Sequence, residues 1–414
     1  LPTETSTSLR VILLIQAAML LAAAGLLGII VRNFLGSQTP AGKAGLVVAP
    51  ILFLGSLFTI NTGLNGLETG PLMLGYAGTC WAFQRYGAST PRRAVALGAL
   101  FGLLILTRID AAVVVIALLI AVWRAFGVTR ALISAALAVG VSAPWFLYNV
   151  LVFGSLMPSS GTAQTEIALN AERVTQMLEA LSVVLMPWLP LSTFDKEWSI
   201  VLRLGLAAVV ACVLWRTGAF RALNGTSLRI AQFAGAFLAG YVVLACYYAT
   251  TSFAIWFYGR YLAPLTLLSA GCLALLISRS FNRLLAIMTG AIGLLGVAAC
   301  LGLWTTTVYP GNPMYTDQLA LVEATVPRGQ LVAAKQTGTL GFFRERIINL
   351  DGKVNPQAIE FRDNLPGLLE RSRVNWLCDY PVFIQQVLGE TSTSWTVVAN
   401  RGDFACARRS VPLQ

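Results

Sequence analysis

The chain has 414 residues, of which 57% are hydrophobic and 11% charged, with a mean hydropathy of +0.72. Soluble domains carry about a quarter of their residues as charged side chains, so a water-soluble enzyme is excluded for most of the length. The first 304 residues hold 18 basic and 8 acidic side chains, whereas the last 110 hold 11 and 10. We therefore predict a membrane domain over residues 1–304 and a polar domain over 305–414.

The membrane domain is predicted to be an all-α polytopic bundle, because a spanning helix needs about 20 mainly apolar residues and ten stretches approach that length. The predicted spans cover residues 10–31, 45–62, 69–84, 94–108, 110–123, 131–152, 198–215, 230–250, 261–278 and 284–304. Alternate connections between them hold twelve cations and no acid, and the other set holds all eight acids. The cation-rich set is cytoplasmic by the positive-inside rule, so the N-terminus and the polar domain face outward.

An outward N-terminus needs a removed signal peptide or an earlier span. The first apolar stretch, 10–31, is too long and begins too late for a signal peptide. We therefore expect a further span with its outer loop upstream of Leu1. The excess of cations lies at the membrane ends, so nucleic acid is not an expected partner, while the lipid bilayer is.

Cysteines and histidines restrict the chemistry. The chain has no histidine, which excludes imidazole metal sites and histidine-based triads within it. Five of the seven cysteines fall in or beside apolar spans and are predicted to pack as small hydrophobes. Cys378 and Cys406 lie in the polar domain, where an oxidising compartment would let them form a disulfide.

The polar domain alternates short β-rich runs with helical stretches, which predicts a small α/β domain outside the cytoplasm. Strands are expected near 331–335, 346–350 and 374–378, and helices near 317–324 and 381–388. The run from Gln336 to Phe343 is more typical of a tight turn than of a phosphate-binding loop. Asp351 and Gly352 follow a strand directly; they form a turn, or Asp351 contacts a substrate.

Charged groups near the bilayer are costly, and those present are functional candidates. Glu68 opens the third span and could be a base, a cation ligand or an acid favoured by the helix dipole. Arg108 and Asp110 form an outer hairpin, either as a functional pair or as a self-neutralising one. We interpret Glu68 and Asp110 as candidate catalytic carboxylates.

Aromatic residues accompany the remaining candidates. Tyr148 and Asn149 end a span, where an aromatic belt alone would explain the tyrosine. Arg260 lies between Tyr258 and Tyr261 at the start of another span. Its planar fork suits a lipid phosphate, although an arginine there could also reach the headgroups without a specific partner.

The order of these motifs resembles bacterial polytopic glycosyltransferases of the GT-C class. The matching motifs are Gly66–Thr69, Leu106–Asp110, Pro144-Trp145 with Tyr148-Asn149, Phe153–Ser155, Arg260-Tyr261 with Pro264, Thr339–Phe343 and Asn349–Gly352. They extend over nearly the whole chain, and each is short. The family's second motif often reads Arg-Pro-Asp or Arg-Pro-Glu, and here Ile109 replaces the proline.

The resemblance implies a hexosyl- or pentosyltransferase of the bacterial cytoplasmic membrane. Such enzymes use a polyprenyl-phosphate sugar as donor and an extracytoplasmic glycan, lipid or protein as acceptor. It implies a phosphate-binding role for Arg108 and Arg260, and a substrate-lining role for Tyr148, Asn149, Tyr258, Tyr261 and Asp351. The family's principal base lies in the first outer loop, which would precede this sequence. No cofactor is implied, and a divalent metal is left open.

Two other functions are compatible with the composition. A transporter or flippase of a lipid-linked glycan would also need cations in a helical bundle, but such proteins place broken segments at the bilayer midplane. The charges here cluster at the outer ends, which favours the enzyme. A structural anchor for the polar domain would not need ten spans.

Overall fold

The computed structural model describes residues 3–85, 91–156, 159–189, 195–218, 225–280 and 313–413, together with residues 223, 298 and 302. Its contacts divide the chain into two compact units. The helical unit comprises Leu1–Tyr148 and Glu166–Leu301, and the mixed unit comprises Asn149–Thr165 and Gly302–Gln414. The segment 149–165 therefore belongs with the C-terminal residues, which the sequence did not indicate.

Thirteen helices in the described part precede residue 281. They are α1 (Thr3–Leu35), α2 (Pro40–Leu54), α3 (Leu57–Gly63), α4 (Thr69–Arg85), α5 (Pro91–Thr107), α6 (Ala111–Phe126), α7 (Val128–Phe153), α8 (Ser159–Ala163), α9 (Ala171–Leu185), α10 (Lys196–Arg216), α11 (Gly225–Thr251), α12 (Tyr258–Leu262) and α13 (Leu265–Ser280). A 3-10 turn, Ile255–Phe257, precedes α12.

The helix-rich architecture with a small mixed sheet is confirmed, but the count of ten spans is not. Within the described residues four helices are long and apolar enough to cross a membrane, or up to six when each bent pair is one span. The predicted span 284–304 lies outside the described residues except for positions 298 and 302.

The predicted span 45–62 is two helices, α2 and α3, bent by 69°. The cause is Ser56, whose side chain accepts a hydrogen bond from the backbone N–H of Thr59 and so begins a new helix. The predicted span 261–278 is likewise interrupted, with a 50° bend between Ile255–Leu262 and Leu265–Arg279. Pro264 lies at that break.

The core of the helical unit is packed around α1, α4, α6 and α11. Tyr76 of α4 is fully buried, and its ring meets Phe237 and Tyr241 of α11 edge to face at 4.9 and 5.9 Å. A Cβ atom at Gly240 would lie 2.8 Å from the Cα atom of Val114. Because a glycine permits that approach, α11 and α6 pack backbone to backbone.

The mixed unit contains a five-stranded sheet. Its strands are β1 (Val332–Ala334), β2 (Ile347–Asn349), β3 (Trp376–Asp379), β4 (Trp395–Arg401) and β5 (Phe404–Arg409). Their order across the sheet is β2-β1-β3-β5-β4. β1 runs parallel to β2 and to β3, and β5 runs antiparallel to β3 and to β4. The helices Pro313–Thr325, Gly338–Phe343, Pro356–Glu360, Leu365–Arg371 and Pro381–Leu388 connect or precede the strands.

The parallel strands and the helices near 317–324 and 381–388 agree with the sequence prediction, but the hairpin of β4 and β5 was missed. The run from Gln336 to Phe343 contains a short helix, Gly338–Phe343, where a tight turn was expected. A disulfide joins Cys378 of β3 to Cys406 of β5, which are direct partners across the two strands.

The segment 149–165 contributes helix α8 to the mixed unit. The hydroxyl of Ser159 donates to the carbonyl of Lys353 at 2.9 Å, and Arg362 donates to the carbonyl of Ala163 at 3.4 Å. A Cβ atom at Gly352 would lie 3.4 Å from the Cβ of Ala163. These contacts pack α8 against the connection that follows β2.

Candidate functional site

The candidate site begins at two short connections that the sequence had singled out. Glu68 immediately precedes α4, and its carbonyl accepts from the N–H of Leu72 at 3.1 Å. Arg108 and Asp110 lie in the three-residue connection between α5 and α6, where the N–H of Ala111 donates to the carbonyl of Arg108. Both backbones are thus fixed by the helices beside them.

Every nitrogen of the Arg108 guanidinium makes a hydrogen bond to a carboxylate. Its Nε donates to one oxygen of Asp110 at 2.9 Å and its Nη2 to the other, which is a two-pronged ion pair. Its Nη1 donates to Oε1 of Glu68 at 3.0 Å, and its Nη2 also lies 3.3 Å from the hydroxyl of Tyr248. Only 8% of the side chain is exposed. Burying a guanidinium costs free energy, and the carboxylates of Asp110 and Glu68 offset that cost here.

Asp110 is equally occupied. One oxygen accepts from Arg108, and the other accepts from both Arg108 and the hydroxyl of Tyr248. Its side chain is 16% exposed, against 28% for Glu68. In the described part of the chain Glu68 uses only Oε1 in hydrogen bonding. The two candidate carboxylates therefore differ. Both oxygens of Asp110 accept hydrogen bonds, whereas Oε2 of Glu68 accepts none from the described residues.

Arg260 lies beside this network with fewer partners. Its Nη2 is 3.8 Å from Oε1 of Glu68, which is an ion pair beyond hydrogen-bond distance. Its guanidinium lies over the rings of Phe257 and Tyr261, at 4.9 and 5.4 Å from their centroids. Its Nε is buried and has no hydrogen-bond partner among the described residues.

Two tyrosines of α12 connect the network to α11. The ring of Tyr261 lies under Arg108 as well, 4.6 Å from its guanidinium carbon. Tyr258 is fully buried, and its hydroxyl donates to the carbonyls of Tyr248 and Ser252 at 3.0 and 2.8 Å. Through these hydrogen bonds Tyr258 links α12 to the end of α11.

The structure thus brings together Glu68, Arg108, Asp110, Arg260 and Tyr261, with Tyr258 behind them. Tyr148 is 54% exposed on α7. Asn149 and Asp351 belong to the mixed unit. Asn149 is buried, and its Nδ2 has no hydrogen-bond partner in the described part of the chain.

Asp351 forms the turn that its sequence indicated. Its carboxylate accepts from the N–H of Lys353 at 2.9 Å and pairs with the Lys353 Nζ, also at 2.9 Å. Gly352 follows with φ of +81°, a backbone region that favours glycine. These contacts support the turn, and a substrate role for Asp351 stays a prediction.

Tyr248 and Phe257 were not among the candidate site residues from the sequence. Tyr248 follows Tyr247 at the end of an apolar span, where it cannot be told from an interfacial aromatic. Phe257 offered only its nearness to Arg260. Across the described ranges no group of three His, Cys, Asp or Glu side chains could hold a metal ion.

The net charge of the cluster is zero, with two guanidinium groups and two carboxylates. Arg108 is fully engaged within it, whereas Arg260 keeps unused hydrogen-bonding capacity beside two aromatic faces. The arrangement can therefore accept an anion at Arg260 while Glu68 stays held by Arg108.

No family model matches this chain, and no curated protein matches it. A solved structure is similar: the crystal structure of ArnT from Cupriavidus metallidurans in the apo state. The sequence identity is 16% and the TM-score 0.45, over 94% of this chain and 82% of that one.

Proposed function

We propose that the protein is a membrane glycosyltransferase that moves a sugar from a polyprenyl-phosphate donor to a glycan, lipid or protein acceptor. The observation that carries this proposal is the environment of the Arg260 side chain. Its buried Nε has no partner in the described residues, and its guanidinium lies between two aromatic rings and the carboxylate of Glu68. The GT-C resemblance of the motifs that supply these residues is consistent with it.

The donor phosphate binds at Arg260. An arginine presents planar paired N–H groups to phosphate oxygens, and aromatic faces hold the guanidinium in one plane. Arg108 is already committed to Asp110, Glu68 and Tyr248, so it supports the site without being the main phosphate ligand. As the bond from the anomeric carbon to the phosphate oxygen breaks, Arg260 stabilises the charge left on the departing lipid phosphate.

Glu68 is the carboxylate best suited to act as base within this chain. It would take the proton from the acceptor hydroxyl while the acceptor oxygen bonds to the anomeric carbon. Asp110 has both oxygens occupied, so it orients Arg108 instead.

The deciding experiment measures transfer from a radiolabelled polyprenyl-phosphate sugar by purified full-length protein. Arg260→Ala should lower turnover about 100-fold, the scale of losing one charge-stabilising donor, and Arg260→Lys should recover only part of it. Arg124→Ala changes an exposed arginine in the last turn of α6 and is the matched control. Wild-type turnover in Arg260→Ala at an unchanged melting temperature would refute the phosphate role.

A lipid-linked-glycan transporter is the second candidate, because the bent helix pair Ile255–Leu262 with Leu265–Arg279 supplies Arg260 and Tyr261 to the charged cluster. Broken helices of this kind form substrate sites in transporters. The two functions differ in their products. Proteoliposomes that move a labelled lipid-linked sugar across the bilayer, and form no new glycosidic bond, would favour the transporter.

The proposed location is the bacterial cytoplasmic membrane, with the polar domain and the charged cluster on the outer side. A periplasm-active reporter enzyme fused after Gln414 should be active, and the same reporter fused after Arg216 inactive. The opposite pattern would reverse the orientation and place the cluster in the cytoplasm.

A further inference from the structure

Gln16 is a polar side chain within the predicted span 10–31, and it is only 5% exposed in α1. Burying an amide among apolar groups is costly unless its hydrogen bonds are made. Both polar atoms of the Gln16 amide are hydrogen-bonded: its Nε2 donates to the carbonyl of Leu67 at 2.5 Å, and its Oε1 accepts from the N–H of Gly66 at 2.9 Å. These two partners are the two residues that precede Glu68 in the chain.

The connection held by Gln16 has its own fixed geometry. Gly66 has φ of +79°, and Asn65 accepts from the N–H of Leu67 through its side chain at 3.0 Å. On the other side, Glu68 is tied to α4 by the N–H of Leu72. The backbone on both sides of Glu68 is therefore hydrogen-bonded, once to α1 and once to α4.

Close packing brings the same connection against α1. A Cβ atom at Gly63, the last residue of α3, would lie 2.6 Å from Cδ1 of Leu20, one turn along α1 from Gln16. The approach leaves little room for the connection to shift sideways. Gln16 then restricts rotation of two peptides of this connection, because it accepts from the N–H of the Asn65–Gly66 peptide and donates to the carbonyl of the Leu67–Glu68 peptide.

We propose that Gln16 is a positioning residue for Glu68: by holding the N–H of Gly66 and the carbonyl of the peptide between Leu67 and Glu68, it keeps the carboxylate where Arg108 binds Oε1. This inference rests on the proposed function for its consequence in catalysis. It predicts a specific kinetic effect, because Gln16 touches neither Arg260 nor the network around Asp110. Donor binding should therefore survive its loss while the chemical step slows.

The first test is Gln16→Met, which keeps the length of the side chain and removes both hydrogen bonds. We expect kcat to fall about 100-fold, the scale of a misplaced catalytic group, with KM for the donor changed less than about twofold. Ser142→Ala is the matched control, because it removes a buried hydroxyl that bonds only within α7. It should leave kcat unchanged.

Gly66→Ala provides a second route that leaves α1 intact. A Cβ atom there meets nothing within 4 Å, so the protein should fold, but alanine disfavours a φ of +79°. The connection should shift and kcat should fall again with little change in KM. This variant keeps the inference testable if Gln16→Met does not fold.

Backbone amide exchange in detergent separates the inference from the proposed function. In Gln16→Met the amide of Gly66 should exchange at least about fivefold faster, the factor that one modest hydrogen bond provides. Unchanged exchange, or a wild-type kcat in folded Gln16→Met, overturns the role of Gln16. Absence of any transfer by the wild-type protein, with faster exchange in the variant, instead overturns the glycosyltransferase assignment and with it the catalytic consequence.

Discussion

The rings of Tyr248 and Tyr261 are stacked, with centroids 4.4 Å apart and planes inclined by 22°. Tyr248 also donates its hydroxyl to Asp110, while Tyr261 lies under both arginines. The stacked pair, with one ring from α11 and one from α12, therefore links two arginines. They are Arg108, whose nitrogens all make hydrogen bonds, and Arg260, whose Nε has no partner among the described residues.

Tyr248→Phe should keep the ring stack and remove the hydroxyl from Asp110. We expect a loss of about 2 kcal/mol in the free energy of unfolding, because a hydrogen bond to a charged group is lost. Turnover should fall as Arg108 and Asp110 loosen. Thermal melting and transfer assays measure the two effects. Tyr247→Phe, which alters the exposed neighbouring residue, is the control and should resemble wild type.

Asp110→Ala should destabilise the helical unit more strongly, by about 3 kcal/mol, because it leaves a nearly buried arginine without its two-pronged partner. Replacing both residues, as in Arg108→Leu with Asp110→Leu, should recover part of the stability without recovering turnover. A double variant that is less stable than Asp110→Ala would show that the pair stabilises the fold in its own right.

The disulfide between Cys378 and Cys406 closes 28 positions of sequence. Replacing both with serine should cost about 3 kcal/mol, chiefly because the unfolded chain gains freedom. Melting curves of wild-type protein with and without reductant should differ by a similar shift, and those of the double variant should coincide. Mass spectrometry showing both residues as free thiols in protein from an oxidising compartment would contradict the pairing.

Asp379 is buried and accepts from the N–H groups of Lys335, Gln336 and Tyr380. Burial raises the pKa of its carboxyl above the usual value, although the three N–H groups and Lys335 oppose the rise. The folded protein then binds the proton more tightly than the unfolded chain does. The stability due to this group is present below about pH 4 and is lost as pH rises through the raised pKa.

Asp379→Ala should remove that pH dependence and cost about 3 kcal/mol overall, because three partly buried N–H groups lose their shared acceptor. Melting temperatures of the mixed unit between pH 4 and pH 7 would show the change. Asp363→Ala replaces an exposed carboxylate and should melt as wild type does across this range.

Part of the candidate site could be predicted because charges are rare in the membrane domain. Glu68, Arg108 and Asp110 had few possible partners, and the cost of burying charge favours their meeting. Gln16 and Tyr248 could not be found in this way. Their partners lie 51 and 138 residues away for the bonds to Leu67 and Asp110, and no local pattern points to those partners. Gln16 is a lone polar residue in an apolar span, and Tyr248 resembles the aromatic residue beside it.

The fold shows the same division between local and distant information. The alternation of short β-rich runs with helical stretches predicted the positions of β1, β2 and β3, whose residues are largely buried. The strand β4 was missed because most of its side chains are exposed, so its pattern lacks a clear apolar face. Hydropathy likewise treated 45–62 as continuous, since the capping hydrogen bond of Ser56 does not alter mean hydropathy.

The packing of α8 against the connection after β2 bears on biosynthesis. Residues 159–163 leave the ribosome nearly 200 residues before Arg362, their hydrogen-bonding partner. Their final contacts must therefore wait until the C-terminal part of the chain has been made. A truncation that ends near residue 304 would leave this stretch without its native neighbours, and residues 305–414 expressed alone would lack one of their own helices. Excision of the C-terminal region at that boundary would thus cut through one folding unit.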